Sequence, residues 1–284
     1  MERLSGRVAT ITGAASGLGR AMARRFATDG MRLVLADIEE EPLLRVADEL
    51  RGQGAEVEAL RCDVSQRPQI DALADAAYAR FGAVHILCNN AGVAVGGPAW
   101  SHSENEWNWI VGVNLFGVIH GISAFVPRML AAGDEGHIVN TASIAGLIAP
   151  GLMAAYCATK HAVVGISECL FHDLELAKSR LGVSVLCPGF VTTQIHKSTR
   201  NRPDELKDPA GSQHPMSQLM QGALSDLVEH GTAPEDVANA VVHAVQTRQF
   251  WVLTHPELDG AIKARSASLC ARENPRAAQL VRTT

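Results

Sequence analysis

Seven short apolar runs punctuate the chain: "RVATIT" from Arg7, "RLVLAD" from Arg32, "AEVEALRC" from Ala55, "VHILCNN" from Val84, "HIVNTAS" from His137, "VSVLC" from Val183 and "FWVL" from Phe250. Most are apolar at consecutive positions, so a strand built from them is covered on both faces. The spacers between them have the length and pattern of helices. This alternation predicts an α/β fold: a doubly wound parallel sheet with helices on both faces, residues 1–284 forming one domain.

The rhythm breaks once, after "CPGFVTT". The segment "QIHKSTRNRPDELKDPAGSQHP" is too rich in Pro, Asp, Asn and Gly to belong to the sheet, and Met216, Leu219, Met220 and Leu224 then recur as one face of a helix that "SDLVEHG" ends. Residues 194–231 read either as a surface excursion followed by a core-facing helix or as a lid over a ligand cleft, with methionines adapting to apolar shapes. The extension 259–284 carries Lys263, Arg265, Arg272, Arg276 and Arg282 among small residues, the pattern of a solvated helix and a frayed end.

Charge and composition narrow the partners. The 284 residues are 47% hydrophobic and carry a net charge of −5 with no long run of like charge, which argues against nucleic acid and anionic membranes. The first residues lack the order of a secretory signal, and the apolar stretches are interrupted by Asn, His, Gly or Ser; a soluble, cytoplasmic protein is expected. Six cysteines without CxxC and eleven histidines without HExxH give a metal site no support.

Directly after the first run stands "TGAASGLGRAMARRF", with Gly13, Gly17 and Gly19 ahead of a helical pattern. Glycines in such a turn admit a pyrophosphate close to the backbone, and the helix offers unpaired N–H groups. A tight strand-to-helix turn uses glycine for structural reasons as well. The second run ends at Asp37, 18 positions after Gly19, where a carboxylate can accept from a ribose 2′-hydroxyl and repel a 2′-phosphate. Neither Ser16 nor Ile38 is basic, so NAD is favoured over NADP. Asp37 also suits the cap of the following helix.

Further on, "YCATK" sets Lys160 four residues after Tyr156, on the same helix face, where its charge favours phenolate over phenol. Packing of the ring and snorkelling of the lysine is the ordinary alternative. Ser143, 13 residues earlier, supplies a hydroxyl for a developing oxyanion.

Taken in order, "TGAASGLG", "DV" (Asp63, Val64), "NNAG" (Asn89 to Gly92), Asn114 in "VNLFG", Ser143 in "NTASIAG", "YCATK" and "PGFVTT" resemble the short-chain dehydrogenases/reductases. The resemblance implies a seven-stranded Rossmann-type sheet, a nicotinamide cofactor and alcohol–carbonyl interconversion. It matches Asn114, Ser143, Tyr156 and Lys160 to the catalytic tetrad, Asn114 holding a water that links Lys160 to solvent. Along the cofactor it places Gly13, Ser16, Gly17, Leu18, Gly19, Asp37, Ile38, Asp63, Val64, Asn90, Ala91, Gly92, Pro188, Gly189, Val191 and Thr193, with Tyr156 and Lys160 beside them. A homodimer or homotetramer is implied too.

Hydride transfer requires a dry, apolar pocket. Candidates for its walls are Val93, Ala94, Val95, Ile144, Ala145, Leu152, Met153, Phe190, Met216 and Met220, each equally suited to plain core. The expected substrate is a bulky, largely apolar secondary alcohol or ketone: cyclic, aryl, or terpenoid/steroid-like. Trp100, Trp107 and Trp109 read as packing residues. Competing readings are an NADPH-dependent carbonyl reductase and a non-catalytic NAD-sensing protein.

Overall fold

The computed structural model describes residues 1, 3–208 and 214–276; parts of the 194–231 and 259–284 segments, including Arg282, lie outside the described residues. All seven apolar runs form strands: β1 (Val8–Thr12), β2 (Arg32–Asp37), β3 (Val57–Arg61), β4 (Ile86–Asn89), β5 (Gly136–Thr141), β6 (Leu181–Cys187) and β7 (Trp251–Leu253). They make one parallel sheet in the order β3-β2-β1-β4-β5-β6-β7. Register is continuous across its centre, with Ile11 beside Leu35 on one side and Cys88 on the other.

Alternate strand residues feed two apolar layers, because successive side chains leave opposite faces. Ala9, Ile11, Leu33, Leu35 and Val139 pack on one face against Met22 and Phe26 of α1 (Gly17–Thr28), Leu43 and Leu50 of α2 (Glu40–Gly52) and Val241 and Val245 of a helix at Pro234–Thr247. Val8, Val34, Leu87, Ile138 and Val183 pack on the other against Ile70 and Leu73 of α3 (Arg67–Phe81), and against residues of two long helices, at Gly117–Ala132 and Ala154–Leu176. Burying a large aliphatic side chain contributes about 1.5–3 kcal/mol each, so these layers dominate stability.

We label the remaining helices α4 (Glu104–Val111), α5 (Gly117–Ala132), α6 (Ala154–Leu176), α7 (Pro215–Glu229), α8 (Pro234–Thr247) and α9 (Asp259–Ala271). Between α4 and α5, Gly112–Phe116 forms a π-helical turn with Asn114 at its centre. The continuous helical run Glu104–Ala132 is long and apolar enough to cross a membrane by length and composition, although Gly112, Asn114, His120 and Ser123 interrupt its apolar residues. Ile110, Val118, Phe125 and Met129 of this run are buried in the core, which accounts for its apolarity.

Strand order reverses between β1 and its neighbours β2 and β4. Loops leaving the carboxyl ends of these strands diverge to opposite faces, and a crevice opens between them.

Candidate active site

A cleft of about 300 Å³ runs along the carboxyl edge of the sheet, from the β1–α1 turn to Tyr156 and on beneath α7. At its first end Gly13 (φ 68°) and Gly17 (φ 51°) take left-handed backbone conformations that glycine adopts without strain. Ser16 precedes α1 at the cap position, yet its hydroxyl makes no capping bond. Gly19 plays a different part: it does not line the cleft, and a Cβ there would fall 2.0 Å from the Gly13 carbonyl oxygen, so it lets the helix close on the turn.

Asp37, at the end of β2, is buried, with Oδ2 accepting from Ala15 N at 2.9 Å and Oδ1 from Glu39 N at 3.0 Å. Burial raises its pKa, and the backbone N–H bonds oppose the rise. The carboxylate thus ties the glycine turn to the start of α2 while lining the cleft. Ile38, Asp63 and Val64 line the same end. Asp63 Oδ1 accepts from both the backbone N (3.0 Å) and the hydroxyl (2.7 Å) of Ser65.

The middle is fixed by the loop after β4. Thr12 Oγ1 accepts from the backbone N of Asn90 and Ala91 at 3.0 and 3.1 Å, and Asn90 Nδ2 donates to the Thr12 carbonyl at 3.0 Å. Asn89 reaches away from the cleft, donating to Asn140 at 2.9 Å, which in turn donates to Ser167 at 3.0 Å. This buried polar chain ties three elements together and was not read from the sequence. Gly92 is the crossing point: a Cβ there would lie 3.4 Å from Asn114 Oδ1 and 3.6 Å from Lys160 Nζ.

Asn114 is fully buried and does not line the cleft. Its oxygen accepts from Val93 N at 2.8 Å, and its amide donates to the Val93 carbonyl at 2.9 Å and to Thr159 Oγ1 at 3.2 Å. Both amide hydrogens are therefore committed, and the side chain pins the loop from Asn90 to Val93.

Tyr156 and Lys160 project from the first turns of α6, the lysine Nζ 5.5 Å from the phenol ring centroid and 2.9 Å from the Thr141 carbonyl. Burial is the largest influence on both. It pushes the Tyr156 phenol up to about 12, countered in part by the Ser143 hydroxyl, and it pulls the Lys160 ammonium down to about 8. The lowering of the phenol by Lys160 that the spacing predicts is absent here: desolvation dominates, and the opposing influence comes from Ser143. Ser143, in the loop just after β5, accepts from Ala145 N at 3.1 Å and has the Pro188 carbonyl 3.5 Å away.

The phenol stands where two apolar clusters meet. Val93, Trp109, Ile110 and Ala155, joined by Leu206, lie on one side; Ala145, Met153 and Cys157, joined by Met220, lie on the other. Ala94, Ile144, Ala145, Met153, Phe190 and Met220 line the cleft, as do Ile148, Leu224 and Val228. Three expected wall residues do not. Val95 packs beneath the wall with Trp109 and Ile110; Leu152, at φ 63° in the turn before α6, accepts through its carbonyl from Gly97 N at 2.7 Å and so ties that turn to the distant loop after β4; and Met216 faces solvent. Met216 and Met220 sit four apart, but the helix shows the cleft only the face carrying Met220, Leu224 and Val228.

Pro188, Gly189, Val191 and Thr193 line the cleft after β6, and a Cβ on Gly17 would come 3.0 Å from the Thr193 methyl. Beyond them residues 194–206 cross over the opening. Ser198 is buried and exchanges two bonds with Ala94, accepting from its N at 2.9 Å and donating to its O at 3.1 Å. Arg202 reaches Asp208 at 2.9 Å and Glu106 at 3.6 Å and lies 5.7 Å from the Trp109 ring centroid. Arg200 forms a two-pronged pair with Glu39, at 3.0 and 2.7 Å. The Ser198–Ala94 and Arg200–Glu39 contacts join residues about 100 to 160 positions apart, beyond the reach of any local pattern.

A nicotinamide dinucleotide fits this site on three features: a left-handed glycine turn beside an uncommitted Ser16 hydroxyl, a buried carboxylate at the end of β2, and an apolar terminus around a phenol. Residues 7–204 match the family model for short chain dehydrogenase. A solved short-chain dehydrogenase/reductase from Burkholderia phymatum in complex with NAD is similar at 45% identity and a TM-score of 0.96, covering 97% of this chain and 98% of that one. The "CLA biosynthesis dehydrogenase/reductase" of Lactiplantibacillus plantarum is 32% identical over 93% of each chain. The 2,5-dichloro-2,5-cyclohexadiene-1,4-diol dehydrogenase of Sphingobium indicum is 36% identical over 85% of this chain and 89% of that one. The chain belongs to the short-chain dehydrogenase/reductase family and is an oxidoreductase of that class.

Proposed function

We propose that this protein uses NAD to interconvert a secondary alcohol and a ketone on a bulky, largely apolar substrate. The observation that carries the reading is the Tyr156 phenol, buried at the junction of the Trp109–Leu206 and Met153–Met220 clusters with Ser143 beside it. An apolar chamber around a single proton-transfer group accepts a carbinol and rejects a strongly hydrated anion.

Asp37 supports NAD, since its carboxylate would bond ribose hydroxyls and repel a 2′-phosphate. Ser16, Gly13 and Gly17 would hold the pyrophosphate, Asp63 and Val64 the adenine side, and Thr193 the carboxamide. The bound nicotinamide supplies the hydride acceptor and, when oxidised, a positive charge. With that charge added to the Lys160 ammonium, Tyr156 would give up its own proton to water in the cleft and, as phenolate, accept the alcohol proton while the Ser143 hydroxyl bonds the substrate oxygen. Asn114 acts as a positioning residue, fixing Val93 and through it the cleft wall.

The diol dehydrogenase named above is a relative whose substrate is cyclic, in keeping with a wide apolar chamber. The exposed side chains of Phe116 and Leu130 on the long helical run suit cover by a second copy of the chain.

The test is a fluorescence titration with NADH and NADPH, followed by NAD-linked turnover of a panel of cyclic, aryl and steroid-like secondary alcohols. Tighter NADH binding with turnover of a panel member supports the proposal; tighter NADPH binding removes the Asp37 argument.

A further inference from the structure

Among the described residues, the bases that line the cleft are Lys160, beside the phenol, and Arg200, which comes from the covering segment and faces the Asp37 end. The position of Arg200 is unusual for a site read as NAD-preferring. A guanidinium at that end of a dinucleotide cleft is what a 2′-phosphate would seek.

Every guanidinium nitrogen is already used. Nε and Nη2 bond the two oxygens of Glu39 at 3.0 and 2.7 Å, and Nη1 donates to the carbonyls of Gln194 and Lys197 at 3.2 and 3.0 Å. The last two bonds stay local, to the cap residue and the third residue of the turn Ile195–Asn201, so they park the arginine whatever happens at Glu39. Hydrogen bonding from Arg200 is the main influence that lowers the Glu39 carboxyl below its ordinary pKa, against the opposing effect of burial. Glu39 is tied to the ribose end as well, because its backbone N donates to Asp37 Oδ1 at 3.0 Å.

We propose that Glu39 is a specificity-determining residue that acts by neutralising Arg200, so that the cation covering the adenosine end of the cleft cannot recruit a 2′-phosphate. Asp37 repels that phosphate directly, whereas Glu39 removes its counter-charge. This rests on the dinucleotide reading above. A two-pronged carboxylate–guanidinium pair satisfies the fork geometrically, and replacing the carboxylate with a carboxamide keeps the shape while leaving the charge uncompensated. Arg200 would remain in place, held by Gln194 and Lys197.

The experiment is a fluorescence titration of NADPH and NADH binding to the parent protein, Glu39→Gln, Arg200→Gln and the double variant, with thermal melting to verify folding. Glu39→Gln is expected to tighten NADPH binding by roughly tenfold, with NADH changed far less, as for exposing one charge to a phosphate in a partly screened cleft. Arg200→Gln alone is expected to give no gain, and the double variant to lose the gain of Glu39→Gln. An unchanged NADPH affinity in folded Glu39→Gln, or in folded Glu39→Ala should the first variant not fold, would overturn the proposal, as would a gain that survives without Arg200. Failure of the NAD reading shows elsewhere, as tighter NADPH than NADH binding by the parent protein, and leaves the coupling between the two variants readable.

Discussion

Lys160 Nζ stands 5.5 Å from the centroid of the Tyr156 ring, and burial drives the two groups in opposite directions, the phenol up to about 12 and the ammonium down to about 8. Two consecutive turns of one helix thus carry an acid made weaker and a cation made less willing to stay charged. Added positive charge is what this pair needs before the phenol can act as a base, which links proton transfer to the oxidised state of the bound cofactor.

Tyr156→Phe removes the hydroxyl and leaves the ring packing. We expect kcat to fall by about 10²–10⁴-fold, the range for loss of a general acid or base, while NADH titrates nearly as before. Near-normal turnover in a variant that still binds NADH would exclude Tyr156 as the proton-transfer group.

Stability should respond to pH through the same pair. The folded Lys160 pKa, about 8, lies below its ordinary value of 10.5, so between these limits the unfolded chain binds more protons and stability rises with pH. The folded Tyr156 pKa, about 12, lies above its ordinary value of 10.0, so that contribution falls between pH 10 and 12. Denaturant unfolding from pH 7 to 10 should show the parent protein gaining on Lys160→Met, by an amount of order 1–3 kcal/mol. Parallel curves would mean that the lysine is not desolvated as the structure shows.

Two glycines separate steric need from helix propensity. Gly19→Ala places a methyl 2.0 Å from a backbone oxygen and should cost about 3 kcal/mol or more. Gly222, exposed within α7 with nothing near its would-be Cβ, should gain about 0.5–1 kcal/mol on replacement by Ala. Chemical denaturation of both variants checks the pair, and equal effects would contradict the described packing.

The covering helix offers a paired control for the substrate chamber. Met220→Ala should raise KM for a bulky alcohol by roughly tenfold, since it opens the wall beside Tyr156, whereas Met216→Ala should leave KM unchanged. Steady-state kinetics with the best panel substrate distinguishes them; equal shifts would show that α7 presents a different face in the working enzyme.

The apolar runs by themselves determined seven strands and a doubly wound sheet, because a strand covered on both faces must be continuously apolar and that signature is local. The glycine turn, Asp37, and the Ser143, Tyr156 and Lys160 trio were likewise legible, since fixed spacings along one turn or one helix encode them. Tertiary structure decided the rest. It turned Met220 inward and Met216 outward, sent Val95 into the core, spent the Asn114 side chain on Val93, and brought Arg200 to Glu39 and Ser198 to Ala94. No pattern within a few residues could specify these outcomes: each depends on which distant backbone group or charge arrives opposite a side chain once the sheet has closed, and on the desolvation that closure imposes.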